Sequence, residues 1–287
     1  MAATLSESEL LNSNKLPPCP AIVVGLIQAL QQTDTTISDI ARFISADASL
    51  TMRLLKVVNS AYYGLARKVN SVDEAAFRLG LKEVWALAVS LKLSEMHTKA
   101  QTSWGSDKED LWQHALKVGL LAKQIARERR SGKPDELFTA GVLHDMGKLA
   151  FLCHYTDKYR ALTNKGVLIG PALESEEQKA LTLSHSQLGA QMMRRWELPD
   201  VLVKMVERHH QPMVHGSFDA AAGTLCAADA LIHAAQMQSA EGLVRLEFKD
   251  TLLTKEVAQG LNLSAPDCVR MTTDALKGYA ELEGLFK

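Results

Sequence analysis

Apolar residues recur along this chain at the three- and four-residue spacing of amphipathic helices, and no segment alternates as a half-buried strand does. The pattern therefore predicts an all-α protein. The predicted helices lie at about 21–32, 37–44, 50–59, 71–80, 82–97, 107–130, 134–146, 148–164, 172–182, 185–196, 199–210, 217–239, 252–260 and 266–285. Residues 1–15 are polar, and we expect them to be loosely held.

Capping and turn residues define several helix ends. Ser71 followed by Glu74 predicts a capping box, and Gly80 is expected to end that short helix. Pro199 suits the first position of a later helix, and Pro212 is expected to end it.

The order of the helices predicts two helical parts. We expect an N-terminal lobe at about 16–105, a second helical bundle at about 106–240, and further C-terminal helices at 241–287 packed on them. No linker rich in Gly, Ser or Pro separates the lobe from the bundle, so we expect one continuous body.

Composition excludes some classes of function. Lys and Arg together number 32 and Asp and Glu number 33, so no global charge favours nucleic acid or an anionic membrane. The 4 cysteines lack CxxC spacing and fit a reducing compartment. We recognise no signal-peptide pattern and no apolar run long enough to cross a bilayer, and we expect neither. We expect a cytoplasmic protein without a membrane partner.

Residues that can bind a metal are spread through the second bundle. They are His114, His144, Asp145, His185, His209, His210 and Asp229. Imidazole nitrogens and carboxylate oxygens suit Fe, Mn or Zn, with Mg as an alternative, and a carboxylate that can bridge suits two ions better than one. Burying so many polar groups together is costly unless a cation neutralises them. The sequence therefore predicts a site for two divalent metal ions, built from several helices.

The adjacent pair His144 and Asp145 needs a special backbone. Neighbouring helix residues point about 100° apart, so both side chains can address one ion only where a helix ends. The apolar run before them predicts a buried helix whose last turn presents the pair, with Gly147 in the left-handed cap conformation. Lys148 could then offer a cation to an anionic substrate, and its alternative is a solvated lysine beyond the helix end.

Other candidates receive weaker interpretations. A single His on an amphipathic helix is usually a surface or core residue, so we assign no role to His97, His154, His215 or His233. Asp110, one turn before His114, could be a further ligand, but an acidic residue is also expected near a helix start.

The His144-Asp145 doublet resembles the signature of the HD-domain metal-dependent phosphohydrolases. In that superfamily, a first His on the preceding helix, the His-Asp pair and a late Asp bind one metal. The resemblance implies that His114, His144, Asp145 and Asp229, the last within "AADALIHAA", bind one ion here. It also implies an HD-domain, phosphodiesterase-like helical bundle for the second part of the chain.

Superfamily members with a binuclear site add a His before a Gly and a His-His pair. His185 in "SHSQLG" and the pair His209-His210 in "ERHHQP" match these additions. The resemblance therefore implies a second ion at these residues, with Asp145 as the bridging ligand.

The N-terminal part resembles the opening of an HDOD domain, the HD-related output domain of bacterial signalling proteins. The stretches that carry the resemblance are "LPPCPAIVVGLIQAL", "ISADASLTMRLLKVVNSAYYG" and "VNSVDEAAFRLGLKEVWALAVSL". Many HDOD members have lost the metal ligands, whereas this chain keeps the set. The ligand order is also similar to that of HD-GYP phosphodiesterases, but "QPMVHG" stands where their Gly-Tyr-Pro signature follows the His pair. Cyclic di-GMP is therefore not the expected substrate.

Two functions follow from the resemblance. The first is a metal-dependent phosphohydrolase, a phosphodiesterase or phosphomonoesterase acting on a nucleotide-type phosphoester, in which Asp145 and Lys148 take part in catalysis. The second is a non-catalytic signalling scaffold that binds partner proteins and has kept the site for a metal or a small ligand. The retained ligands favour the first, and the HDOD resemblance favours the second.

Overall fold

The computed structural model describes residues 18–31, 36–104, 110–164, 169–238 and 252–286. The described helices are α1 (Ala21–Gln31), α2 (Ile37–Ser45), α3 (Ala48–Val58), α4 (Val72–Leu79), α5 (Leu81–Trp104), α6 (Leu111–Arg129), α7 (Pro134–Leu143), α8 (Met146–His154), α9 (Thr156–Thr163), α10 (Gly170–Leu181), α11 (His185–Arg195), α12 (Asp200–Glu207), α13 (Ala220–Gln238), α14 (Lys255–Gly260) and α15 (Ala265–Leu282). Short 3₁₀ turns lie at Ala61–Tyr63, between α3 and α4, and at Glu283–Leu285, after α15. The all-α prediction is confirmed. None of these helices has the length and apolar character needed to cross a membrane.

A small β-ribbon was not predicted. Met213–Val214 pairs with Ser217–Phe218 in antiparallel register. The turn between them uses positive φ angles at His215 (49°) and Gly216 (79°), as a two-residue hairpin requires. The helix predicted from 217 therefore begins only at Ala220. Two-residue strands are too short to produce a visible alternation in the sequence.

One compact unit contains Pro18–Thr98 together with Leu276–Lys287. Arg53 on α3 connects the two segments of this unit. The Arg53 guanidinium donates to the carbonyl of Phe286 at 2.8 Å and to Ser94 Oγ at 2.8 Å. The C-terminal end of the chain thus belongs to the same unit as the N-terminal helices.

The other compact unit contains Lys99–Ala275, and glycines bring its helices close together. Where α6 crosses α7, a Cβ on Gly141 would lie 2.5 Å from the Cα of Gly119. Any side chain at this crossing would push the two helices apart. The contact places the helix of His114 against the helix that leads to His144.

The helix before the His144-Asp145 pair ends earlier than predicted. The helix predicted to 146 ends at Leu143, and α8 starts at Met146. Gly147 lies inside α8 with a helical backbone, so the prediction of a left-handed cap there was wrong. Its lack of a side chain serves another purpose, because a Cβ on Gly147 would overlap the carbonyl oxygen of His185.

Two further helix predictions need correction. The helix predicted at 148–164 is interrupted at Tyr155, whose φ is −134° and which joins α8 to α9. The helix predicted at 199–210 begins at Asp200 and ends at Glu207, with Pro199 as its N-cap residue. The His-His pair therefore lies in a turn beyond the helix.

The predicted N-cap at Ser71 is confirmed, since its Oγ accepts from Glu74 N at 3.1 Å. The Glu74 carboxylate, however, accepts from the backbone N of Asn70 at 3.2 Å, one residue before the expected partner.

Residues 1–15 and the predicted start of the 107–130 helix lie outside the described residues.

We predict that Gly147→Ala destabilises the protein by at least about 2 kcal/mol, because the new methyl group and the His185 carbonyl cannot both keep their places. Urea unfolding followed by circular dichroism measures the change. Gly284→Ala is the matched control, since a Cβ there has no atom within 4 Å, and its stability should not fall below that of the wild type. Equal stability of the two variants would contradict the close contact.

Candidate metal centre

The structure brings all seven predicted ligands to one place in the unit of Lys99–Ala275. They reach it from five segments. His114 lies on α6, His144 and Asp145 lie between α7 and α8, His185 is the first residue of α11, His209 and His210 follow α12, and Asp229 lies on α13. Six of the seven residues are buried, and the side chain of the seventh, His210, is only 5% exposed.

One group of ligand atoms gathers around Asp229. Its Oδ1 lies 3.0 Å from His114 Nε2 and 3.6 Å from His144 Nε2. The possible ligand atoms of these three residues all lie within 4.8 Å of one another. Their spacing is close enough for one cation to contact all three.

A second group is formed by histidines. His185 Nε2 lies 3.2 Å from His210 Nε2, and the possible ligand atoms of His185, His209 and His210 again lie within 4.8 Å of one another. With a nearby carboxylate, that of Asp145, these three imidazoles would form a common nitrogen and oxygen ligand set for a divalent metal.

Asp145 lies between the two groups. Its Oδ2 is 3.3 Å from His144 Nε2, and its Oδ1 is 3.5 Å from His185 Nε2. Lys148 Nζ donates to Oδ2 at 2.7 Å. Because the two carboxylate oxygens face different groups, Asp145 has the orientation that a bridging ligand needs.

Backbone contacts orient two of the imidazoles. His144 Nδ1 lies 2.7 Å from the carbonyl of Gly141, and His209 Nδ1 lies 2.6 Å from the carbonyl of Val206. A carbonyl can only accept, so both Nδ1 atoms carry a proton. The Nε2 atoms are then left to bind a metal, and at His144 metal binding would displace the Nε2 proton.

Three buried atoms of the cluster form no hydrogen bond: His144 Nε2, Asp145 Oδ1 and His209 Nε2. A buried polar atom without a partner is expensive, and three together in one place are rarely tolerated. Their residue types and common direction fit a divalent cation. The structure therefore contains a His/Asp cluster suited to metal binding.

The pKa values follow from burial and from the carboxylates. Burial lowers the pKa of His144, but Asp145 and Asp229 outweigh it and raise that pKa to about 9. Burial raises the pKa values of both carboxyls, but the surrounding cationic groups bring them well below the usual range. Burial lowers the pKa of His209 to about 3. The two carboxylates therefore attract positive charge strongly, which is the electrostatic property of a cation site.

Sequence reasoning missed Glu177, which accepts a hydrogen bond from His185 on the side of the ring away from the cluster. The Glu177 carboxylate accepts from both the backbone N and Nδ1 of His185 at 2.7 Å, and the Tyr159 hydroxyl donates to it at 2.8 Å. This leaves His185 Nε2 facing the cluster, as in the carboxylate–histidine pairs of metal sites. Glu177 lies on a different helix from His185, so no helical spacing pointed to it.

His233, to which we assigned no role, also lies at the cluster. Its Nε2 is 3.3 Å from Asp229 Oδ1, and its ring centroid is 4.3 Å from that of His114. The signal in the sequence was the four-residue spacing from Asp229, which places both side chains on one face of α13.

The remaining candidates lie elsewhere. Asp110 caps α6 by accepting from the backbone N of Trp112 and of Gln113, so the helix-start interpretation describes it. His154 and His215 are exposed, and His97 belongs to the other compact unit.

The fold has known counterparts. The chain matches a crystal structure from Shewanella amazonensis SB2B, provisionally named a phosphohydrolase, with a TM-score of 0.75, 20% identity, and coverage of 97% of this chain and 98% of that one. It matches a provisionally named signal transduction protein from Marinobacter aquaeolei VT8 with a TM-score of 0.72 and 21% identity, covering 95% of this chain and 60% of that one. At these identities, the likeness shows the fold alone.

Sequence comparison identifies the family. The chain is 26% identical over 196 residues to an uncharacterized protein of Treponema pallidum (strain Nichols), covering 68% of this chain and 37% of that protein. The chain therefore spans little more than a third of the length of this relative. The family profile named HDOD domain matches residues 16–212, which include every candidate ligand except Asp229. With this match over more than half of its length, the chain belongs to the HDOD domain family.

Proposed function

We propose that this HDOD domain is a metal-dependent phosphohydrolase that acts on a nucleotide-type phosphoester through two divalent ions. The observation that carries the proposal is the set of three buried, unpartnered atoms, His144 Nε2, Asp145 Oδ1 and His209 Nε2, in one cluster of imidazoles and carboxylates. Divalent cations at the cluster would satisfy these atoms, and a metal-bound water is a nucleophile suited to phosphoester hydrolysis.

Each ion would be held by four residues. His114, His144, Asp145 and Asp229 would hold the first ion, and Asp145, His185, His209 and His210 would hold the second. Nitrogen and oxygen ligands without a thiolate favour Fe, Mn or Zn, with Mg as an alternative. When bound, such ions supply positive charge to phosphoryl oxygens and acidify water.

Residues of the chain would complete the site on the substrate side. Lys148 is held at Asp145 by a 2.7 Å contact, and its side chain is only 11% exposed. Its charge is poorly screened there, so it would help to neutralise the charge that a phosphoryl group develops in the transition state.

The similar structures support the proposal as far as their names go. One is provisionally named a phosphohydrolase and another a signal transduction protein. We propose that the domain works in bacterial signalling, with a phosphate-containing small molecule as its substrate. If the site binds ligand without turnover, the domain would instead be a scaffold for signalling proteins.

We predict that the purified wild-type protein carries close to two ions of Fe, Mn or Zn per chain, as measured by inductively coupled plasma analysis. Asp145→Ala should lose both ions, because each of its oxygens faces one ligand group. Asp229→Ala should keep the second ion. The loss of each bound ion should lower stability by roughly 3 kcal/mol at metal concentrations about a hundredfold above Kd. Equal metal loss in both variants, or less than about a tenth of an equivalent in the wild type, would contradict the assignment.

We predict that Glu177→Gln weakens binding of the second ion about 10–100-fold, because the amide is a poorer acceptor for His185 Nδ1. Titration with metal, followed by calorimetry, measures the two affinities separately. Glu176→Gln is the matched control, since Glu176 pairs with Lys179 at the surface. The first ion should bind equally well in both variants. Equal weakening at both ions would show that Glu177 supports the fold rather than the orientation of His185.

Activity is tested with mononucleotides, cyclic nucleotides and cyclic dinucleotides, with Mn or Fe(II) added under reducing conditions. We expect turnover of a nucleotide-type phosphoester but little of cyclic di-GMP, because "QPMVHG" follows the His pair. The double variant His209→Ala/His210→Ala should be inactive, and His154→Ala/His215→Ala, with two exposed histidines removed, should remain active.

Robust, His209/His210-dependent hydrolysis of cyclic di-GMP would overturn the substrate preference. Inactivity of metal-loaded protein across all of these compounds would overturn the hydrolase proposal and favour the scaffold. In that case, binding of a partner protein should survive the His209→Ala/His210→Ala double substitution.

A further inference from the structure

A cavity of about 420 Å³ adjoins the candidate metal centre, within the same compact unit. His210 and Asp229 line one side of it, so the cavity reaches ligands assigned to both ions. Its volume lies in the range of roughly 300–1,000 Å³ that small-molecule sites occupy. The cavity is therefore the natural place for the part of a substrate that does not react.

Most of the cavity wall is apolar. Side chains of Pro171, Met213, Ala230, Leu252 and Val257 form it. Met213 and Leu252 are 48% and 40% exposed, so both residues offer apolar surface to a ligand in the cavity. An uncharged group would release water from these surfaces on binding.

The remaining wall is neutral or acidic. Burial raises the pKa of Cys226, which also lines the cavity, to about 12, so it contributes a neutral thiol. Glu256 adds a carboxylate, and the described residues that line the cavity include no lysine or arginine. A second anionic group on a substrate would therefore be repelled by the carboxylate of Glu256.

We infer that this cavity binds the uncharged apolar body of a phosphoester with a single phosphoryl group, while that phosphoryl group lies at the His/Asp cluster. The inference rests on the proposed function and narrows it. The aromatic base of a nucleoside monophosphate is one flat, uncharged group of this kind. A molecule with a second anionic group at the end away from the cluster does not.

Non-hydrolysable phosphonates test this by equilibrium binding to the metal-loaded protein, measured by calorimetry. Phenylphosphonate should bind at least about tenfold more tightly than methylphosphonate, because its ring is buried in the cavity. The double variant Met213→Ala/Leu252→Ala should reduce this ratio to less than about threefold without changing the affinity for methylphosphonate. Met237→Ala, which removes a 68% exposed methionine outside the cavity, should leave the ratio unchanged.

The charge argument has its own variant. A 4-carboxyphenylphosphonate should bind more weakly than phenylphosphonate, and Glu256→Gln should recover several-fold of this loss. Glu176→Gln, whose side chain does not line the cavity, should recover none.

The outcomes separate the two proposals. Equal binding of methylphosphonate and phenylphosphonate would overturn the cavity inference and leave the phosphoryl site intact. Phenylphosphonate binding that persists in Asp145→Ala would also overturn it, since the cavity would then act without the cluster. Failure of metal-loaded protein to bind any phosphonate would overturn both.

Discussion

The site depends on the electrostatic attraction between two buried carboxylates and the imidazoles around them. Asp145 and Asp229 are almost completely buried, and isolated carboxylates would not remain ionised there. They remain ionised because imidazoles and Lys148 surround them. The same attraction would draw a divalent cation into the cluster. The burial of these charged groups destabilises the fold, and a bound cation would offset that cost. Metal binding and stability are therefore expected to change together.

Close backbone contacts make this burial possible. Gly119 and Gly141 let α6 and α7 touch, and Gly147 lets α8 approach the backbone at His185. The helices then bring residues that are far apart in sequence to within a hydrogen-bond distance of one another. Side chains at these glycines would move the ligands by more than a metal site tolerates, because coordination distances vary by only about 0.2 Å.

Under the proposed function, the cluster would recognise charge and the adjoining cavity would recognise shape. The cluster and Lys148 would bind a phosphoryl group, whereas the cavity has apolar surface and the carboxylate of Glu256. Binding energy from an uncharged body could therefore position the phosphoryl group without adding charge at the far end. In a signalling protein, such a site would respond to a small molecule by its apolar part as well as by its phosphate.

The sequence by itself determined the all-α class and most helix positions, because helical periodicity and caps such as Ser71 are local. It also indicated the seven candidate ligands, since their residue types and order carry the chemistry. Only the tertiary structure decided the contribution of Glu177 and the close approach that Gly147 permits. Each of these depends on which helices meet in space. Contacts between distant residues leave no periodic trace along the chain, so only the packed fold reveals them.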